Sequence, residues 1–131
     1  MTVPAPAAYR GGMGDQMLDG AWRIVSEVAS GDPNPDAADN SYWFHLDRVV
    51  VGSQDCAWDW PARIGPGVID MWSDDHACPF QDRGIWERRG DRLWLCWGVR
   101  DSGERPTAFA STPANGWQLV VLEPSDEPEP T

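Results

Sequence analysis

From Gly20 onward, apolar and polar residues alternate with a period of two, the signature of strands that bury one face. Ala21-Trp-Arg-Ile-Val-Ser-Glu-Val places Trp22, Ile24, Ser26 and Val28 on one side and Arg23, Val25 and Glu27 on the other. Tyr42 to Gly52 predicts two strands or one bent strand, with the bend near Leu46-Asp47-Arg48. Asp55 to Ala62 carries Trp58 and Trp60 in alternation with Ala57 and Asp59. A Gly65-Pro-Gly turn precedes a short strand from Val68 to Trp72, and Ser73 to Pro79 is a polar loop. Arg83 to Arg89 and Arg92 to Arg100 read as a hairpin about a two-residue Gly90-Asp91 turn. Thr107 to Ser111 and Trp117 to Glu123 supply the last two strands.

About eight or nine short strands joined by tight turns predict a sandwich or an up-and-down barrel, and closure is the simplest way to remove exposed edges. The expected fold is all-β: an antiparallel barrel of about eight strands over 18–123, whose interior is just wide enough for side chains or one small ligand. Residues 1–17, rich in Ala, Pro and Gly, read as a flexible arm. Residues 124–131 are acidic, prolyl and without apolar side chains, so disorder is expected there. The thirteen Gly and twelve Pro leave no uninterrupted stretch longer than Asp36 to Val51, which excludes an all-helical fold.

Composition narrows the partners. The 131 residues suit one domain. Twenty-one acids against ten bases give a net charge of −11, a surface that nucleic acid and anionic membranes repel. All ten bases are Arg, so lysine-nucleophile chemistry is excluded. Cys56, Cys78 and Cys96 are too few for a disulfide framework and point to a reducing compartment. No CxxC or HxxxH spacing marks a structural zinc site, and no metal or cofactor is expected. Met1-Thr-Val-Pro-Ala-Pro has neither the basic nor the apolar region of a signal peptide. The expectation is a soluble, cytoplasmic protein.

The excess is tryptophan, with nine residues. Most are expected as core filling, Trp22 closing the barrel base, but nine exceed what so small a core needs. Trp43, Trp58, Trp60, Trp72, Trp86 and Trp97 are therefore candidates for the wall of a cavity that binds a flat or extended apolar molecule. His45 shares a face with Trp43 and Asp47, and if that face points inward a buried His–Asp pair provides a general acid or base. The bland alternative is an outward or satisfied histidine. Asp70, on one face with Trp72, is the third candidate catalytic group, since an acid inside an apolar barrel has a raised pKa. His76 belongs to a solvated loop, and Cys96 reads as packing rather than nucleophile. Phosphate-cradle, dinucleotide and serine-nucleophile motifs are missing.

Leu18-Asp-Gly-Ala-Trp22 resembles the Gly-x-Trp opening of lipocalins, in which the Trp plugs the closed end. Together with Gly90-Asp-x-Leu-x-Leu-Cys96, Arg105-Pro-Thr-x-Phe109 and the Ile-Asp strand at Gly67-Val-Ile-Asp70, it is similar to a family of uncharacterised lipocalin-like domains common in planctomycete bacteria. The resemblance spans Leu18 to Glu123 and implies a lipocalin-like barrel without an assigned reaction. Two positions depart from that pattern. Trp94 stands where a polar, outward residue is expected, which suggests an added aromatic contact surface. The basic residue expected to close the last strand is absent, leaving Arg105 as a candidate to pack over Trp22.

Three functions follow as expectations. The first is binding of a small hydrophobic or aromatic molecule in an aromatic-lined cavity. The alternative is a cofactor-free cyclase or isomerase of a bacterial natural-product pathway, which folds its substrate against the walls beside one or two polar groups. A Lys-free, Arg-only chain, as a GC-rich bacterial gene would encode, suits that option. The third is a protein-interaction module, with a filled core and an apolar patch or homodimer around Trp94.

Overall fold

The structure, a computed structural model, describes residues 18–130 and the backbone of Val3–Pro4. The arm expected at 1–17 otherwise lies outside the described residues. The strands are β1 (Val3–Pro4), β2 (Gly20–Ala29), β3 (Asp32–Pro33), β4 (Ser41–Phe44), β5 (Arg48–Gly52), β6 (Ala57–Gly65), β7 (Val68–Ser73), β8 (Phe80–Arg89), β9 (Arg92–Trp97), β10 (Ala108–Phe109) and β11 (Gln118–Pro124). Eight of them, β2, β4 to β9 and β11, pair with their neighbours in chain order, and β11 returns to β2 to close an antiparallel barrel. Among the described residues no helix is long and apolar enough to cross a membrane.

The turns follow their residues. Arg89 pairs with Arg92 across Gly90-Asp91, and Gly90 takes φ +61°, a conformation that costs glycine no Cβ clash. The bend expected at Leu46-Asp47-Arg48 falls between β4 and β5.

One strand breaks its own alternation. On β2, Ile24 pairs with Leu122 but Ser26 pairs with Val121, so Val25 is an extra residue in a β-bulge. Beyond it the faces exchange. Glu27, outward by strict alternation, lies opposite the fully buried Val120 and faces the interior, while Ser26 is exposed.

The end of the barrel that holds the start of β2 is filled. Trp22 is buried there, its indole Nε1 donating to the Asp19 carbonyl at 3.1 Å. The guanidinium over it, 5.3 Å from the ring centroid, belongs to Arg88, not Arg105. Above Trp22 pack Phe44, Val49, Ile69, Leu93, Leu95 and Leu122, each no more than 2% exposed, and each fully buried aliphatic chain contributes about 1.5–3 kcal/mol. Arg105 lies outside the barrel. It donates to the carbonyls of Gly84 (2.8 Å) and Ile69 (3.3 Å) and to Asp70 Oδ1 (2.8 Å), joining β7 to β8.

Two outer segments depart from expectation. The strand expected at Thr107 to Ser111 is only the pair Ala108–Phe109, which lies outside the barrel and pairs with β1. Phe109 is fully buried against Ile85 and Cys96, outward residues of β8 and β9, because that face is as apolar as the inner one. Trp94 is therefore half-buried: it meets Phe109 edge-on at 6.3 Å and carries the Arg89 guanidinium at 4.3 Å. The acidic tail, for which composition suggests no fixed place, lies along the outside of β4 and β5. Glu127 accepts from Ser41 Oγ (3.2 Å) and Gln54 Nε2 (3.0 Å), and its carbonyl accepts from Trp43 Nε1 at 2.9 Å. Polar contacts hold this segment, so its lack of apolar side chains does not set it free.

Candidate functional site: an aromatic cavity at the open end

At the opposite end the interior is hollow, with a cavity of about 630 Å³. Its walls carry Tyr42 from β4, Trp58 and Trp60 from β6, Phe80 from β8 and Trp97 from β9. Trp60 and Phe80 meet at right angles, centroids 4.8 Å apart. Trp58 stands at the rim, 53% exposed.

The polar groups of the cavity are ordered among these rings. Asp82, 6% exposed, accepts a forked pair of bonds from Arg100, Nε to Oδ1 at 3.1 Å and Nη2 to Oδ2 at 2.9 Å. The hydrogen bonds to Asp82 hold the Arg100 guanidinium firmly in its charged form, and its plane rests 4.0 Å from the Phe80 centroid. Trp97 Nε1 donates to Tyr42 Oη at 3.2 Å, leaving the hydroxyl hydrogen without an acceptor among the described residues. Burial pushes the Tyr42 phenol well up from its usual range, so it stays a neutral donor. Glu27 accepts from Gln118 Nε2 and Asn34 Nδ2, both at 2.7 Å.

The structure divides the residues singled out from sequence. Trp58, Trp60 and Trp97 line the cavity. Trp86 points inward, but into the filled half, where its Nε1 bridges the carbonyls of Gly65 and Val68 at 3.0 Å each. Trp72 and Trp43 are on the outer face, Trp72 half-buried and opposite the exposed Gln81, and Trp43 under the tail. None of the three candidate catalytic groups reaches the interior. His45 pairs with Glu129 of the tail, Asp47 is exposed after β4, and Asp70 pairs with Arg105 outside. The physical reason is parity: Tyr42 and Phe44, not Trp43 and His45, hold the inward positions of β4, with their rings stacked 5.6 Å apart.

The groups that sequence reasoning missed are Tyr42, Phe80, Asp82, Arg100 and Glu27. Alternation back from Trp86 along β8 reaches Asp82 and Phe80, so that signal was available. Arg100 lies beyond the end of β9, where no periodicity reaches, and the bulge hides Glu27.

Fold and site together define a closed eight-stranded β-barrel, plugged at one end and hollow at the other. No family model, curated protein or solved structure matches the chain.

Proposed function

We propose that this protein binds a small, largely flat hydrophobic or aromatic molecule in the open half of its barrel. The observation that carries this reading is the cavity of about 630 Å³ walled by aromatic rings, within the size range of small-molecule sites. The molecule lies against Trp60, Phe80 and Trp97, and an acceptor atom on it takes the Tyr42 hydroxyl hydrogen. We read the chain as a lipocalin-like domain akin to the family common in planctomycete bacteria. Support comes from the sequence elements at Trp22, Gly90 and Arg105 and from the guanidinium over Trp22. Free, exposed Cys56 and Cys78 suit a reducing cytoplasm.

A second reading, a cofactor-free cyclase or isomerase, is favoured by one specific arrangement. A buried neutral phenol beside the Asp82–Arg100 pair supplies a hydrogen-bond donor and a fixed dipole to a substrate folded against the rings. Tyr42 then takes the role that sequence reasoning gave to His45. The interaction-module reading expects a filled core and an exposed Trp94, whereas the upper barrel is hollow and Trp94 is half-buried against Phe109.

The test is incubation of the full chain with a small-molecule extract of its source organism, with retained and altered compounds read by mass spectrometry. Val51→Trp, which fills the cavity from its wall, serves as the blocked control once circular dichroism shows it folded. A compound held unchanged by the wild type and released by the blocked variant is the expected result. A compound converted by the wild type and not by Tyr42→Phe selects the enzyme. Nothing held and nothing converted overturns both.

A further inference from the structure

The charges around the cavity are unbalanced. Its lining includes three carboxylates, Glu27, Asp75 and Asp82, against one guanidinium, Arg100. Arg100 is committed to Asp82 through both ends of its fork. Glu27 has no cationic partner among the described residues: the two groups it touches, Gln118 and Asn34, are neutral amides. The Asp75 carboxylate, at the rim, accepts the backbone N–H of Ala77 at 2.9 Å and has no cationic partner among the described residues. A carboxylate has roughly four acceptor sites, so one amide on each oxygen leaves Glu27 room for a further donor.

The rings beside it have the complementary chemistry. Aromatic faces are negative and attract cations within about 6 Å of their centroids. One ring of the cavity already holds a cation in this way, Phe80 beneath Arg100. Trp58, Trp60 and Trp97 line the same space. The potential inside is also registered by Tyr42: Glu27 and Asp82 both push its phenol further up, and Arg100 alone among the charges opposes them.

We propose that the molecule taken into this cavity is an organic cation, a flat or compact apolar body bearing an ammonium group that pairs with Glu27 among the aromatic rings. The inference rests on the small-molecule binding reading and sharpens it to a ligand class. The positive charge sits against Glu27, the apolar body against Trp60 and Trp97, and an acceptor atom, where the molecule has one, against the Tyr42 hydroxyl. The net charge of −11 acts in the same direction, concentrating cations near the mouth at low ionic strength.

The experiment is a calorimetric titration of the full chain with three probes sharing one body: 1-naphthylmethylamine, 1-naphthalenemethanol and 1-naphthylacetate. At neutral pH these are a cation, a neutral molecule and an anion. The cation should bind on the order of tenfold more tightly than the alcohol, with the anion weakest. In Glu27→Gln the amine should lose about tenfold and the alcohol less than about twofold. An alcohol or an anion that binds as tightly as the amine overturns the cation inference and leaves the binding reading standing. A preference for the amine that survives in Glu27→Gln overturns the assignment to Glu27. Failure of all three probes overturns the inference together with the reading beneath it. The wild-type series alone decides the ligand class, so the result does not depend on the variant folding.

Discussion

Burial raises the Tyr42 phenol, an effect that outweighs the opposing hydrogen bond from Trp97. The raised value has a consequence for stability. The unfolded chain ionises this tyrosine near pH 10, while the folded chain keeps it neutral. The contribution of Tyr42 is therefore complete below about pH 10 and is lost as the pH rises beyond it. Urea midpoints measured from pH 8 to 11 should fall at the alkaline end, and Tyr42→Phe should flatten that fall. The same substitution leaves Trp97 Nε1 without its acceptor, at a cost of about 1–2 kcal/mol at neutral pH. Cys96 behaves alike: burial pushes its thiol up to about 11, and its S–H donates to the Ala110 carbonyl at 3.4 Å. A thiol reagent should label Cys56 and Cys78 in the native protein and reach Cys96 only on unfolding, which a timed labelling count will show.

At the scale of elements, what the sequence discloses is the strand list, and what it hides is which way each strand faces. The β8–β9 hairpin was legible because Gly90-Asp91 permits one tight turn and the flanking alternation agrees with it. On β4 the pattern Tyr42-Trp-Phe-His is apolar on both faces, since the tail covers Trp43 as fully as the core covers Tyr42. Period two cannot choose between two buried faces, so the sequence leaves open which way the Trp43–His45 face points. Covers are long-range facts that local sequence does not carry. Removing residues 125–131 should accordingly uncover Trp43, red-shift the tryptophan emission and cost about 2 kcal/mol in urea. Gly84 shows the same closeness inside the barrel. A Cβ there would lie 2.8 Å from Trp97 Cε3 and 2.9 Å from the Cys96 carbonyl. Gly84→Ala should cost about 1–3 kcal/mol in a thermal or urea melt and displace the cavity wall that Trp97 forms.

For the whole molecule the governing quantities are closure and charge. The pairing of β11 with β2 joins residues nearly a full chain apart, so the barrel exists only once its last strand is in place. Self-repulsion at a net charge of −11 opposes that compaction. Raising the salt from about 10 mM to 150 mM shortens the Debye length from roughly 30 Å to 8 Å. The melting temperature should rise over that interval, and a fall or no change in a differential scanning experiment would count against this account.

The bulge at Val25 matters for insertions and deletions. From Trp22 to Ala29, β2 has eight residues for seven partners on β11. The strand thus carries one residue more than its ladder needs. A chain lacking Val25 can pair Ile24 with Leu122 and Ser26 with Val121 as neighbours, keeping Trp22 at the plug and Glu27 in the cavity. An added residue has no such slack and would turn one end of the strand inside out. The first strand of this barrel is built to tolerate shortening by one residue and to resist lengthening.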